Sequence, residues 1–174
     1  TGTATFSGTG SLQIDTRDVA LVTIPAMNLG TLDLALSANL TNSEIKFLGD
    51  ITCDQMTVYM SAAGSKTNTN GYAVVMNALF IGLGNNPGSL NCSTSTFTIG
   101  ASGIVFKSAV AALNVEQGTI NNAGDIKFQD FITDGGGIIN CGTGSLISTG
   151  DVTATNANDT GTININSGLF ECND

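Results

Sequence analysis

The chain has 174 residues and a net charge of −9, and only 11% of it is charged, against about 25% in an average globular domain. Its length supports one domain with a real core. Its 22 glycines, and a polar surface left to Thr, Ser and Asn, exclude a helical protein, whose exposed faces want Glu, Lys and Arg. Arg17, Lys46, Lys66, Lys107 and Lys127 form no basic cluster, so nucleic acid and anionic membrane surfaces are excluded as partners.

In chain order, Thr1 to Ser7 alternates small polar and apolar groups, as a strand without a fixed partner does. Thr3, Thr5 and Phe6 are read as an assembly strand that pairs with a neighbouring copy. Longer apolar runs follow at 19–24, 27–36, 45–48, 56–60 and 74–83. The run at 27–36 reads as a strand because Gly30 and Thr31 interrupt it and Leu32, Leu34 and Leu36 alternate. None of these runs reaches the roughly 18 to 20 residues that span a bilayer, so membrane insertion is not expected. Asn85-Asn86-Pro87-Gly88 is a turn and the best internal boundary. The chain is read as one all-β domain, 1–174, with longer strands in 1–86 and short repeats in 87–174.

The second half carries candidate strands at 96–99, 104–107, 113–116, 119–121, 125–128, 138–141, 145–148, 152–155, 162–165 and 169–172. Most start six to ten residues apart, with Gly, Asn or Asp in the turns. Three of them would make one coil of roughly 20 to 24 residues, the period of a β-solenoid. The unit Gly118-Thr119-Ile120-Asn121-Asn122-Ala123-Gly124-Asp125-Ile126 recurs around Thr162 to Leu169 and in part at Gly137 to Gly142. Ile45-Lys46-Phe47 followed by Ile51-Thr52 also echoes Ile126-Lys127-Phe128 followed by Ile132-Thr133, at an offset of 81 residues. A right-handed parallel β-solenoid is the expected fold, with a β-sandwich or jelly roll as the alternative for the first half. Asn121, Asn140 and Asn166 are expected to stack as an amide ladder between coils.

The stretch from Gly118 to Ile126, together with Thr162 to Leu169 and Gly142-Thr143-Gly144-Ser145-Leu146-Ile147, resembles the repeats of filamentous-haemagglutinin-type adhesins and autotransporter passenger domains. The resemblance covers about 80 residues. It implies a right-handed parallel β-helix, exported to a bacterial surface and serving adhesion.

Chemistry is sparsely supplied. With no His in the chain, neither a Ser-His-Asp nor a Cys-His nucleophile can be assembled. The acid pairs Asp15/Asp18, Asp50/Asp54, Asp125/Asp130/Asp134 and Glu171/Asp174 lack the Trp and Arg of a sugar-cleaving cleft and read as solvated turn acids. Asp130 and Asp134 come nearest to a calcium site; no other cofactor is expected. Cys53, Cys92, Cys141 and Cys172 read as two disulfides of an oxidising compartment. The pairing favoured is Cys53 with Cys92 and Cys141 with Cys172, and buried free thiols are the alternative. The sequons at Asn39, Asn91 and Asn158 carry no weight in a chain so rich in Asn, Ser and Thr.

The expected function is a non-catalytic structural or adhesive protein at the cell surface, self-associating into an oligomer or fibre through strand edges. A host-surface glycan or protein is the further partner expected. The rival is a carbohydrate-binding or carbohydrate-cleaving β-helix module.

Overall fold

The computed structural model describes residues 6–16, 20–36, 42–60, 64–83, 87–129, 136–155 and 159–173. Every regular element among them is a strand. In order they are β1 (Phe6–Ser7), β2 (Ser11–Asp15), β3 (Leu21–Ile24), β4 (Met27–Leu36), β5 (Glu44–Phe47), β6 (Ile51–Met60), β7 (Lys66–Asn68), β8 (Val74–Ile81) and β9 (Ser89–Asn91). The second half adds β10 (Thr96–Phe106), β11 (Ala112–Asn114), β12 (Thr119–Asn122), β13 (Ile126–Phe128), β14 (Gly136–Asn140), β15 (Ser145–Ser148), β16 (Val152–Ala154), β17 (Thr160–Asn164) and β18 (Leu169–Cys172).

The chain winds as a β-solenoid. One sheet takes strands in the order β1, β4, β6, β8, β10, β12, β15, β18, with β2, β13 and β16 completing its turns. A second sheet takes the short strands β3, β5, β7, β9, β11, β14 and β17. The pairings between described strands are parallel throughout. Residues of the first half coil like the rest: β4 pairs β6, β6 pairs β8 and β8 pairs β10 in one ladder. The sandwich alternative for that half is therefore overturned.

Register partners are separated by 20 residues at Ser11↔Thr31 and by 26 at Ile120↔Leu146, so turn length varies slightly more than the expected 20 to 24. This variation corrects two readings of the repeats. Gly137 to Asn140 and Gly161 to Asn164 are true counterparts, paired residue for residue in β14 and β17. Thr119 to Asn122, despite its similar sequence, lies in the other sheet, as β12. The echo at offset 81 fails for the same reason, because Ile45 to Phe47 belongs to β5 and Ile126 to Phe128 to β13.

Alternation along each strand sends every second residue inward, and parallel stacking lines these residues into columns about 4.8 Å apart from turn to turn. One interior column runs Met27, Ile51, Val74, Phe97, Ile120, Leu146 and Phe170. In the second sheet the inward column is Val22, Ile45, Thr67, Leu90, Leu113, Ile139 and Ile163. The side chains in the middle of both columns are fully buried, each worth about 1.5–3 kcal/mol for the apolar ones. Thr67 is the misfit: its Oγ1 is buried without a hydrogen-bond partner. Thr67→Val keeps the shape and removes the orphaned hydroxyl, so it should raise stability by about 1 kcal/mol, seen as a higher urea midpoint at unchanged slope. A lower midpoint would mean that something serves the hydroxyl after all.

The corner leading out of the second sheet repeats with little change. Asn70, Ser93, Glu116, Gly142 and Asn166 all sit in the left-handed region, with φ between 53° and 64°. Each turn closes two residues later, as in Ser95 N–H to Cys92 O at 2.8 Å and Gly118 N–H to Val115 O at 2.8 Å. Gly118 and Gly144 then follow because a Cβ there would meet the preceding turn's carbonyl oxygen, at 2.7 Å from Ser95 and 2.5 Å from Gly118. Close approach of the turns is what requires glycine at these two positions, whereas the same place in earlier turns holds Tyr72 and Ser95.

Candidate functional site

Two features stand out on this scaffold: a ladder of amides on the outside of the second sheet, and the partly exposed columns of the outermost described turns. The ladder is built by Asn91, Asn114, Asn140 and Asn164, which are register partners on β9, β11, β14 and β17. Asn114 Nδ2 donates to Asn91 Oδ1 at 2.9 Å, Asn140 Nδ2 to Asn114 Oδ1 at 2.8 Å, and Asn164 Nδ2 to Asn140 Oδ1 at 2.8 Å. Every bond thus points the same way, towards the preceding turn. At the start Asn91 Nδ2 turns instead to Glu116 Oε1, 2.9 Å away. One turn earlier, Asn68 Nδ2 donates to Glu44 Oε1 at 3.0 Å.

Of the expected ladder, only Asn140 belongs to it. Asn121 faces outward on the first sheet, in register with Thr98 and Ile147, and Asn166 is the left-handed corner residue. A usable signal was present, since each ladder Asn stands two residues before a left-handed corner: Asn91 before Ser93, Asn114 before Glu116, Asn140 before Gly142, Asn164 before Asn166. The sequon at Asn91 lies inside the ladder with both amide atoms engaged. Those at Asn39 and Asn158 lie outside the described residues.

The disulfide expectation is overturned. Cys53, Cys92, Cys141 and Cys172 are all free thiols. A disulfide needs Cα atoms about 4.4–6.8 Å apart, hence neighbours within or across a column. Cys53 lies in β6 with Leu29 and Met76 as its register partners, whereas Cys92 follows β9 in the other sheet. Cys141 follows the second-sheet strand β14, and Cys172 is stacked on Ser148 in the first. Burial, and secondarily the Asp54 charge, pushes the Cys53 thiol up from 9.0 to about 12. Burial, with a smaller contribution from Glu116, also raises Cys92, and burial raises Cys141. Only Cys172 is exposed.

The native protein should therefore show one fast-reacting thiol at pH 8 and four after denaturation. Two or more fast thiols in the native state would contradict this burial. Because folding raises these pKa values, the stability contributed by the protonated thiols is complete below about pH 9. It should drain away as pH rises towards 12.

The acids are dispersed. Asp50 Oδ1 accepts the Ala73 N–H at 2.9 Å, and Asp125 Oδ1 accepts the Asp151 N–H at 3.2 Å, so both brace the next turn. Lys127 Nζ lies 3.1 Å from Asp125 Oδ2 and, with the Asp151 N–H, holds that carboxyl below its usual range. Asp130 and Asp134, the calcium candidates, lie outside the described residues, as do Asp18 and Asp174. Among the described residues no three His, Cys, Asp or Glu side chains are placed to hold a metal. A groove of about 280 Å³ follows the glycine corner past Thr119, Thr143, Ser145 and Ser167, and its lining contains no aromatic ring or carboxylate.

Of the assembly strand, Thr3 and Thr5 lie outside the described residues. The backbone at Phe6 and Ser7 pairs within the chain, with Met27 and Asn28 of β4.

At the terminal turns the interior columns come to the surface. Ile126 is fully buried, yet its register partner Val152 in the next turn is 37% exposed. Ile165, which follows the ladder Asn164, is 45% exposed, although the equivalent Cys141 one turn earlier is fully buried. At the other end Leu12, Ile14 and Val22 are only partly buried, while their partners Leu32, Leu34 and Ile45 are inaccessible. No family model matches the chain, and no curated protein or solved structure is significantly similar to it.

Proposed function

We propose that this chain is a non-catalytic, extracellular structural or adhesive subunit that associates with copies of itself through the open edges of its two sheets. The observation that carries the reading is the pair of terminal turns, where edge strands expose backbone donors and acceptors beside apolar columns. Columns that are sealed in the middle of the coil reach partly exposed residues in the outermost described turns, such as Leu12, Val22, Val152, Ile163 and Phe170. A charge-poor Thr, Asn and Gly surface also suits close lateral contact between chains. The free thiols remove the disulfide argument for an oxidising compartment, so extracellular placement rests on composition and on the resemblance to surface β-helix repeats.

The test is sizing over a wide dilution range together with negative-stain imaging. Fibres, or oligomers that dissociate on dilution, are the expected result; monomers at every concentration would overturn the proposal. More turns of a longer chain would cover the same edges, and only cover supplied by another molecule disappears on dilution. The carbohydrate reading has less behind it, because the groove beside Gly118 and Gly144 offers sugars hydroxyls but no stacking platform. Binding or turnover of a glycan that is lost on Asp125→Asn would favour that rival.

A further inference from the structure

We infer that Asn70-Gly71 is a latent site of spontaneous chemical modification. The folded corner holds the pair in a geometry that does not react, and opening of the corner releases conversion of Asn70 to aspartate and isoaspartate. This site is independent of the self-association proposed above.

Asn70-Gly71 is the only Asn-Gly pair in the sequence, and both residues are exposed. The reaction joins the Gly71 backbone nitrogen to Asn70 Cγ and breaks the Cγ–Nδ2 bond. Ammonia leaves, carrying the proton lost from Gly71 N–H. Water, the sole co-reactant, then opens the cyclic imide on either side. One product is aspartate; the other is isoaspartate, whose main chain runs through Cβ. Glycine makes the pair reactive because no Cβ shields its nitrogen.

The folded corner opposes ring closure. φ is 55° at Asn70 and 85° at Gly71, and Tyr72 N–H donates to Thr69 O at 3.1 Å. Positive φ at both central residues marks a type I′ turn, for which Asn-Gly is the preferred pair. Such a turn sets ψ of Asn70 at about +30°. The Gly71 nitrogen then lies nearly opposite Cβ across the Cα–C bond, whereas the imide needs the two side by side. Asn70 Nδ2 is also tied back, donating to Phe47 O of the preceding turn at 3.3 Å. Both flanks are anchored: the hydroxyl of buried Thr69 lies 2.8 Å from Cys92 O and 2.7 Å from Ser95 Oγ, and Tyr72 packs against the core. Reaction therefore waits on a local opening that breaks these contacts.

The products do not rebuild the corner. A carboxylate in place of the amide sets oxygen against the Phe47 carbonyl, and isoaspartate adds a main-chain atom to a tightly closed turn. A transient opening between β7 and β8 thus becomes permanent.

The experiment incubates the full chain at mildly alkaline pH, folded in buffer and unfolded in guanidinium chloride, and follows each asparagine by peptide mass spectrometry and isoaspartate content. Conversion at Asn70 should be at least about tenfold slower in the folded chain. In the unfolded chain Asn70 should convert before any other asparagine. Equal rates in the two states would overturn the protection, and a faster asparagine elsewhere would overturn the site. Asn70→Gly suits the same turn and lacks the amide. Refolded after brief ageing in denaturant, the parent chain should contain a fraction with a lower urea midpoint than the unaged refolded chain, and Asn70→Gly should contain none. An unchanged midpoint in the aged parent, or the same loss in Asn70→Gly, would overturn the claim that modification keeps this corner open.

Discussion

Phe97→Ala should lower the free energy of unfolding by about 3–5 kcal/mol. Phe97 is fully buried at the centre of its column, stacked between Val74 and Ile120. Truncation empties one level of a coil whose neighbouring levels are held about 4.8 Å apart by continuous backbone ladders. Those ladders keep the walls from collapsing into the gap, which places the cost at the upper end of the range for large-to-small changes. Phe170→Ala removes the same ring from the same column, but at the partly exposed last turn. It should cost clearly less. Equal losses in chemical denaturation would show that the terminal turn is as well sealed as the middle.

The second large effect is expected at Gly103, where β10 bulges between Ile99 and Gly103. Gly103 has φ +70°, and a Cβ there would run into the carbonyl oxygen of Asp125 and lie 2.8 Å from its nitrogen. The left-handed backbone costs a Cβ-bearing residue about 1–2 kcal/mol, and backbone atoms on the next turn cannot step aside. Gly103→Ala should therefore destabilise by about 2–4 kcal/mol. Asparagine tolerates the left-handed region, so Gly103→Asn isolates the clash and should be nearly as damaging. Gly71 supplies the contrast: its φ is +85°, but the nearest obstacle is the Thr94 hydroxyl at 2.9 Å. Gly71→Asn should be mild. If Gly103→Asn were equally mild in thermal unfolding, contact with Asp125 would not be what requires glycine.

The sealing of the middle turns and the partial exposure of the outermost described ones have one origin. Parallel stacking makes every turn the lid of the one before it, so the middle turns are sealed and the terminal ones are not. This links the buried columns to the proposed assembly: a second copy would supply the same lid that each internal turn already supplies. It also explains why the ladder of Asn91, Asn114, Asn140 and Asn164 faces outward without needing a ligand, since each amide satisfies its neighbour.

Much of this architecture was legible in the residues. Met27 to Leu36 reads as a strand and is β4, and Gly, Asn and Ser at the corners mark turns that the structure uses. The short strands β7 and β9 escaped, because each carries a single inward residue, Thr67 or Leu90, and three residues show no period. Which columns come to the surface depends on which described turns lie outermost, and no local pattern records that.

Composition and alternation by themselves determined an all-β coil of short strands and tight turns, because few charges, many glycines and period-two apolar residues fit little else. Tertiary structure alone decided which repeats are equivalent, which asparagines touch and whether the cysteines can meet. The physical reason is cumulative register. Turns of 20 to 26 residues shift the phase of every later segment, so similar strings such as those at Thr119 and Thr162 fall in different sheets, and cysteines that look paired in sequence lie in different columns.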